Sequence, residues 1–242
     1  MSDRKVALVT GATRGVGLTL ARRLCSDGYD VAVNFAHDTE SAEAAVRSLG
    51  ELGTKVVAIR ADLGVAPDVH RMFDEVDQTW GRLDVFVHNA VSLHRMSPVE
   101  PDAAAIAADR AVVLGPFEHG AARLAALLPD RTGRVIAISS VGARGVIPGY
   151  VSLGTAKAAL ESYVRYLAME LAGRGVTVNA IAPGKLEGSP GPEADRVRAR
   201  TPAGRLTTGE DIADVLGLLC RPEAGHLHGQ VITVDGGLAL WP

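Results

Sequence analysis

The chain has 242 residues, 25 basic against 28 acidic side chains and a formal net charge of −3, a size that suits one α/β domain. With 47% apolar and 22% charged residues it has an ordinary globular composition that argues against intrinsic disorder, and the near-neutral balance argues against a nucleic-acid or anionic-membrane surface. Two cysteines, Cys25 and Cys220, without a C-x-x-C pair argue against a disulfide framework or a thiolate metal site. The opening MSDRKVALVTGAT lacks the apolar stretch of a signal peptide, and no run of about 18 apolar residues occurs that would span a membrane. A soluble, cytoplasmic protein is expected.

In chain order the strand candidates are Lys5–Thr10, Asp30–Asn34, Lys55–Ile59, Leu83–His88, Arg134–Ser139, Val176–Ala180 and Gln230–Val234. They are β-branched and almost continuously apolar, as strands covered on both faces must be. Helical patterns lie between them at Gly15–Ser26, Thr39–Leu52, Pro67–Trp80, Pro101–Leu128, Gly154–Ala172 and Gly209–Cys220. Asp38 and Thr208 supply start signals for the second and last of these. The alternation predicts βαβ units in a single α/β domain over 1–242, a doubly wound parallel sheet of seven strands, Rossmann-type, with helices on both faces. The least regular stretch, about 183–208, holds PGKLEGSPGPE, a basic helical piece and TPAGR. It follows the sixth strand, where open parallel sheets bind ligands, and its length points to a substrate lid.

The first strand runs into Thr10-Gly11-Ala12-Thr13-Arg14-Gly15-Val16-Gly17 and then a helix. Glycines at such a turn let backbone approach a pyrophosphate, and the helix N-terminus adds N–H donors and a favourable dipole. The strand, turn, helix and second strand around this TGxxxGxG spacing make the dinucleotide reading strong.

At this point the chain resembles the short-chain dehydrogenase/reductase family, and the likeness runs over nearly its whole length. It is carried further by Asp62-Leu63, His88-Asn89-Ala90-Val91 in place of NNAG, Ser139-Ser140, Lys157, Pro183-Gly184 and Asp235-Gly236-Gly237. The resemblance implies a nicotinamide cofactor held by Gly11, Thr13, Arg14, Gly15, Val16, Gly17, Asp62, Leu63, Asn89, Ala90, Lys157, Pro183 and Gly184. Where an NAD enzyme places a carboxylate after its second strand, Phe35 stands. With no acid to repel a 2′-phosphate, and Arg14 and His37 near enough to attract one, NADPH is favoured.

Hydride transfer to a carbonyl develops negative charge on oxygen, so a proton donor or electrostatic stabiliser is needed. The resemblance assigns Ser140 to the carbonyl and Lys157 to the cofactor ribose. The family's tyrosine, four residues before the lysine, is replaced by Leu153, and its relay asparagine by valine within Ala111–Phe117. Tyr150 forms a Y-x6-K alternative, and the surrounding segment, with the later TPAGR, resembles the enoyl-acyl-carrier-protein reductase branch. His88 and His94 border the expected nicotinamide pocket and are read as packing and surface residues. His226 and His228, with no acid or cysteine cluster, make no metal site. Trp241 and Pro242 are read, by resemblance, as a subunit contact, and a homodimer or homotetramer is expected.

Three functions remain. One is an NADPH-dependent ketoreductase for a bulky aromatic polyketide, similar to the atypical ketoreductases that act on angucyclinones. It is favoured because the lid is short, with Gly188 for the usual threonine, and because a phenol beside the ketone can supply the proton itself. The second is an enoyl-thioester reductase using Tyr150 and Lys157. The third is a cofactor-binding protein without catalysis, disfavoured by the survival of the glycine loop, Ser140 and Lys157.

Overall fold

A computed structural model describes residues 4–188 and 193–240. The strands are β1 (Val6–Val9), β2 (Asp30–Phe35), β3 (Val56–Arg60), β4 (Val85–His88), β5 (Arg134–Ile138), β6 (Thr177–Pro183) and β7 (Val231–Val234). They form one sheet of order β3-β2-β1-β4-β5-β6-β7, every neighbouring pair parallel. Helices α1 (Gly15–Ser26), α2 (Thr39–Gly50), α3 (Ala66–Trp80), α4 (Ala103–Glu118), α5 (Ala121–Leu127), α6 (Val151–Ala172), α7 (Glu193–Arg200) and α8 (Gly209–Leu219) connect them. The doubly wound architecture read from the sequence is the one found.

The pleat explains why the strand sequences are apolar throughout. On β1, Val6 and Leu8 enter one core with Phe73 of α3, Phe117 of α4 and Leu160 of α6. Ala7 and Val9 enter the other, with Leu24 of α1, Leu49 of α2 and Leu216 of α8. Phe86 on β4 meets Phe73 and Phe117 edge-on at 5.5 and 6.0 Å. Each fully buried side chain of this size contributes about 1.5–3 kcal/mol, against roughly 0–1 kcal/mol for an exposed ion pair. Two-sided burial therefore holds the sheet.

Most helix ends fall within two residues of expectation, and two larger differences stand out. The segment expected as one helix over Pro101–Leu128 is two, α4 ending at Glu118 and α5 starting at Ala121. Pro116 lies inside α4 without ending it, the His119 N–H still donating to the Gly115 carbonyl at 2.9 Å, and the break falls at Gly120, where a Cβ would stand 2.4 Å from the Phe73 ring. Helix α6 begins at Val151, one turn before the expected Gly154. Gly154 is inside the helix because a Cβ there would come within 2.9 Å of the Gly142 carbonyl. It marks a close approach of backbones and not a helix start. Among the described residues no helix is long and apolar enough to cross a membrane.

The strand order reverses direction beside β1, whose neighbours are β2 and β4. A crevice opens at the carboxyl ends of the strands at such a point, and the loops after β1, β4, β5 and β6 meet there.

Candidate active site

The glycine loop follows β1 with Gly11 and Gly15 at φ of 61° and 53°, the left-handed region that glycine enters without penalty. Gly17 is required for a different reason. A Cβ there would lie 2.1 Å from the Gly11 carbonyl oxygen and 2.6 Å from the Asn89 amide. Asn89 in turn donates through Nδ2 to the carbonyls of Thr10 and Gly11 at 3.0 and 3.1 Å. Arg14 precedes α1 in extended backbone without a side-chain cap, and no acid occupies the first helical turn. The unsatisfied N–H groups of that turn suit an anion.

Thr13 and Val16 line the same loop and are half-buried, while Arg14 is exposed. At the end of β2, Phe35 is buried and His37 exposed. Asp38 caps α2, accepting from the Ser41 hydroxyl and backbone N–H at 2.6 and 3.0 Å. Those two bonds, with the Arg14 charge, hold its carboxyl below the usual range. Arg60, which sequence reasoning missed, donates from Nε to the Ala36 carbonyl at 3.1 Å and adds a second cation to this corner. Asp62 accepts from the Gly64 N–H at 2.9 Å. Leu63 is buried, its carbonyl lying where a Cβ on Gly115 would fall.

Ser140 lies two residues beyond β5 and accepts through Oγ from the Gly142 N–H at 3.0 Å. The Tyr150 ring lies over Gly142, where a Cβ would come within 2.7 Å of it, which brings the Tyr150 hydroxyl close enough to that of Ser140 for the two to interact. Burial pushes the Tyr150 pKa above its ordinary value, against the opposing pull of Ser140 and of the Arg95 charge. Leu153, which the sequence resemblance sets at the family's tyrosine position, is buried in the core. Lys157 is fully buried and its Nζ donates to the Ile138 carbonyl at 2.5 Å. Burial alone brings its pKa down to about 7.

Polar groups behind these residues, invisible to local pattern, fix the loops. The Thr10 hydroxyl accepts from the backbone N–H of Asn89 and Ala90 at 2.9 and 3.1 Å, and pairs with His88 Nδ1 at 2.9 Å. His88 Nε2 donates to the Val113 carbonyl at 2.9 Å, which fixes Nδ1 as the acceptor from Thr10. Burial and the Lys157 charge bring its pKa down to about 3, so the ring is neutral. His88 is the packing residue expected. Glu161, one turn beyond Lys157, accepts from Ser139 Oγ at 2.7 Å and Arg144 Nε at 3.0 Å, which ties the segment after β5 to α6. The fully buried Asp109 of α4 binds His94 and Ser152.

After β6, Gly184 is pressed against Asp235, with its N–H on the Val234 carbonyl at 3.0 Å. The two feet of the following segment are joined. Leu186 bridges to Thr207, the Glu187 N–H donates to the Thr207 carbonyl at 2.8 Å, and the Thr207 N–H to that of Lys185 at 3.1 Å. The basic helical piece is α7, whereas residues 189–192, Trp241 and Pro242 lie outside the described residues. A cavity of about 460 Å³ is lined by Gly15, Val16, Thr19, Leu186, Glu187 and Thr207, joining the glycine loop to these feet. His226 is exposed and His228 half-buried. Both cysteines are free thiols.

The family model described as enoyl-(acyl carrier protein) reductase matches residues 11–239. The 1-cyclohexenylcarbonyl-CoA reductase of Streptomyces collinus is 38% identical over 98% of this chain and 88% of the relative. The tetrahydroxynaphthalene reductase of Pyricularia oryzae is 32% identical over 98% of this chain and 90% of the relative. A solved short-chain dehydrogenase from Burkholderia cenocepacia, in complex with NADP, superposes with a TM-score of 0.91 at 32% identity, covering 97% and 98% of the two chains.

Proposed function

The chain belongs to the short-chain dehydrogenase/reductase superfamily, and from that premise we propose that it is an NADPH-dependent ketoreductase of a bulky aromatic, polyketide-like (angucyclinone-type) carbonyl compound. It is an oxidoreductase, and its cofactor is NADP(H). The chain fits that cofactor: Gly17 lets the loop close onto the Gly11 carbonyl while the space beside Gly15 stays open for a pyrophosphate, and the end of β2 carries Phe35 in place of a carboxylate, the nearby Asp38 being engaged in capping α2. In this reading Gly11, Thr13, Gly15, Val16 and Gly17 take the pyrophosphate, and Arg14 with His37 the 2′-phosphate. Asp62 and Leu63 take the adenine, and Asn89, Ala90, Lys157, Pro183 and Gly184 the nicotinamide half. When bound, the cofactor supplies the hydride.

Ser140 and Tyr150 are the catalytic hydroxyls. Paired just beyond β5, they hold the carbonyl oxygen and stabilise the charge that develops on it, while Lys157 lends positive potential from behind. The observation that carries the ketone reading is Leu153, a hydrocarbon committed to the core where the resemblance sets the donor tyrosine. Burial raises the Tyr150 pKa, in keeping with a group that orients the carbonyl oxygen while the proton comes from the substrate. A substrate with a phenol beside its ketone brings the missing proton and leaves the enzyme to orient it. The identity to a tetrahydroxynaphthalene reductase supports this reading, and a homo-oligomer is proposed with it.

A second reading, reduction of an enoyl thioester with Tyr150 as proton donor, is favoured by the Ser140–Tyr150 pairing in a Y-x6-K frame and by the cyclohexenylcarbonyl-CoA reductase relative. The two are separated by following NADPH oxidation with 8-hydroxy-1-tetralone, its methyl ether and crotonyl-CoA. Turnover of the hydroxyketone, with loss of turnover on methylation, is the expected result. Turnover of crotonyl-CoA alone would transfer the function to the second reading.

A further inference from the structure

Asp109 is a buried carboxylate that none of the chemistry above employs. Its Oδ2 accepts from the His94 backbone N–H at 2.9 Å and from Ser152 Oγ at 2.6 Å, and its Oδ1 accepts from His94 Nδ1 at 2.8 Å. Burial pushes its pKa up, but the bonds from Ser152, His94 and Ser92 outweigh this and hold it below the usual range. An ionised carboxylate only accepts hydrogen bonds, so Nδ1 carries the proton. In the neutral ring Nε2 is then left with a lone pair. That nitrogen has no hydrogen-bond partner among the described residues, and the His94 side chain is 52% exposed.

The location of this imidazole gives the free nitrogen its meaning. The loop after β4 that carries His94 is stitched to the start of α6. The Met96 N–H donates to the Gly149 carbonyl at 3.2 Å, Met96 bridges to Tyr150, and Arg95 donates to the Pro148 carbonyl at 3.3 Å. Arg95 acts electrostatically on Tyr150, and Ser152 lies two residues beyond that tyrosine. The titratable group bonded to His94 is Asp109 from α4, and Arg95 of its own loop and Tyr150 at the start of α6 belong to the same seam. One buried anion holds both sides of the seam beside the proposed catalytic hydroxyls and fixes the ring's tautomer there, so that Nε2 is the acceptor whenever the imidazole is neutral.

We infer that His94 is a specificity-determining residue whose Nε2 accepts a hydrogen bond from a hydroxyl of the aromatic substrate, with Asp109 as its positioning residue. The inference rests on the aromatic-substrate reading and names the group by which that substrate is recognised. A free hydroxyl satisfies Nε2. An ether in its place offers no proton and sets a methyl group against a lone pair, and sites built around such a bond discriminate strongly against analogues that cannot make it.

The test is calorimetric binding of 2-naphthol and 2-methoxynaphthalene to the enzyme loaded with NADP⁺, which needs no turnover. The natural sequence should prefer the naphthol by about 10-fold or more. His94→Phe, which keeps a ring and removes the acceptor, should bind both alike, and His94→Gln, which restores an acceptor oxygen, should recover part of the preference. Asp109→Asn can donate to Nδ1 and so move the proton to Nε2, and should lose the preference while His94 is intact. If that variant does not fold, His94→Phe decides alone. Equal affinity of the unmodified enzyme for the two probes, or an unchanged preference in His94→Phe, overturns the inference and leaves the ketoreductase reading standing. Failure to bind either probe in an enzyme that reduces crotonyl-CoA overturns that reading and the inference together.

Discussion

Among the described residues Lys157 is buried without a carboxylate partner, its ammonium bonded to the Ile138 carbonyl, and this makes protein stability a gauge of its charge. In the unfolded chain the amine keeps its proton up to its ordinary value of 10.5, whereas in the folded protein it releases it at about 7. Between those values the unfolded state binds more protons than the folded state, so this group makes stability rise with pH. Below pH 7 the buried ammonium exerts its full penalty, which at 1.36 kcal/mol per pH unit is roughly 3–6 kcal/mol. Lys157→Met keeps an unbranched chain of similar length and removes the titration. The assay is urea unfolding of the cofactor-free protein and the variant at pH 6, 8 and 10, at one protein concentration. The variant's advantage over the unmodified protein should be several kcal/mol larger at pH 6 than at pH 10, other ionisable groups cancelling in the difference. A difference that does not vary with pH would refute the assignment of a desolvated, titrating ammonium to this position.

The remaining predictions concern the site. Phe35→Asp places a carboxylate beside the region assigned to the 2′-phosphate and should shift the kcat/KM ratio of NADPH over NADH by about 10-fold or more; an unchanged ratio would remove the charge explanation. Tyr150→Phe should cost less than about 10-fold with a hydroxyaryl ketone, where the substrate carries the proton, but roughly 10²–10⁴-fold with an enoyl thioester. Gly17→Ala drives a Cβ into the Gly11 carbonyl and should destabilise by about 1–3 kcal/mol or more, with NADP⁺ binding lost in fluorescence titration. Normal binding by that variant would mean that the loop can open at little cost.

Much of this was legible because it is local. Gly11, Gly15 and Gly17 occur within seven residues, and strands such as KVALVT and RVIAIS carry two-sided burial in their own composition. The places where reading failed are those where two distant segments meet. Gly154 looked like a helix start because its reason, the Gly142 carbonyl across the site, lies 12 residues away in sequence. The break between α4 and α5 reflects Phe73 on another helix. Asn34 reads as an ordinary strand residue, yet it donates to the Ile59 and Ala61 carbonyls at 3.3 and 3.0 Å and accepts from the Gly11 N–H at 3.4 Å. Asp109, His94 and Ser152 form no motif at any spacing, since only the fold brings the three together. Tyr150 lies between these cases: its interval to Lys157 was visible, but its meeting with Ser140 depends on a glycine in the intervening turn.

The joined feet of the segment after β6 have an evolutionary consequence. Backbone bonds between 185–187 and Thr207, with the Thr207 hydroxyl on the Val234 carbonyl at 3.1 Å, make a noose whose knot belongs to the sheet. Residues of the noose before Thr201 can be exchanged, added or removed without disturbing the strands, whereas Thr201–Leu206 pack against the turn after β7, the Ala203 N–H donating to the Gly236 carbonyl at 3.0 Å. Lengthening it is cheap as well, since each doubling of a loop costs only about 0.6 kcal/mol in closure entropy. Descendants of this chain can therefore be sampled for new substrates by swapping one tethered interval, with the hydride-transfer apparatus inherited intact.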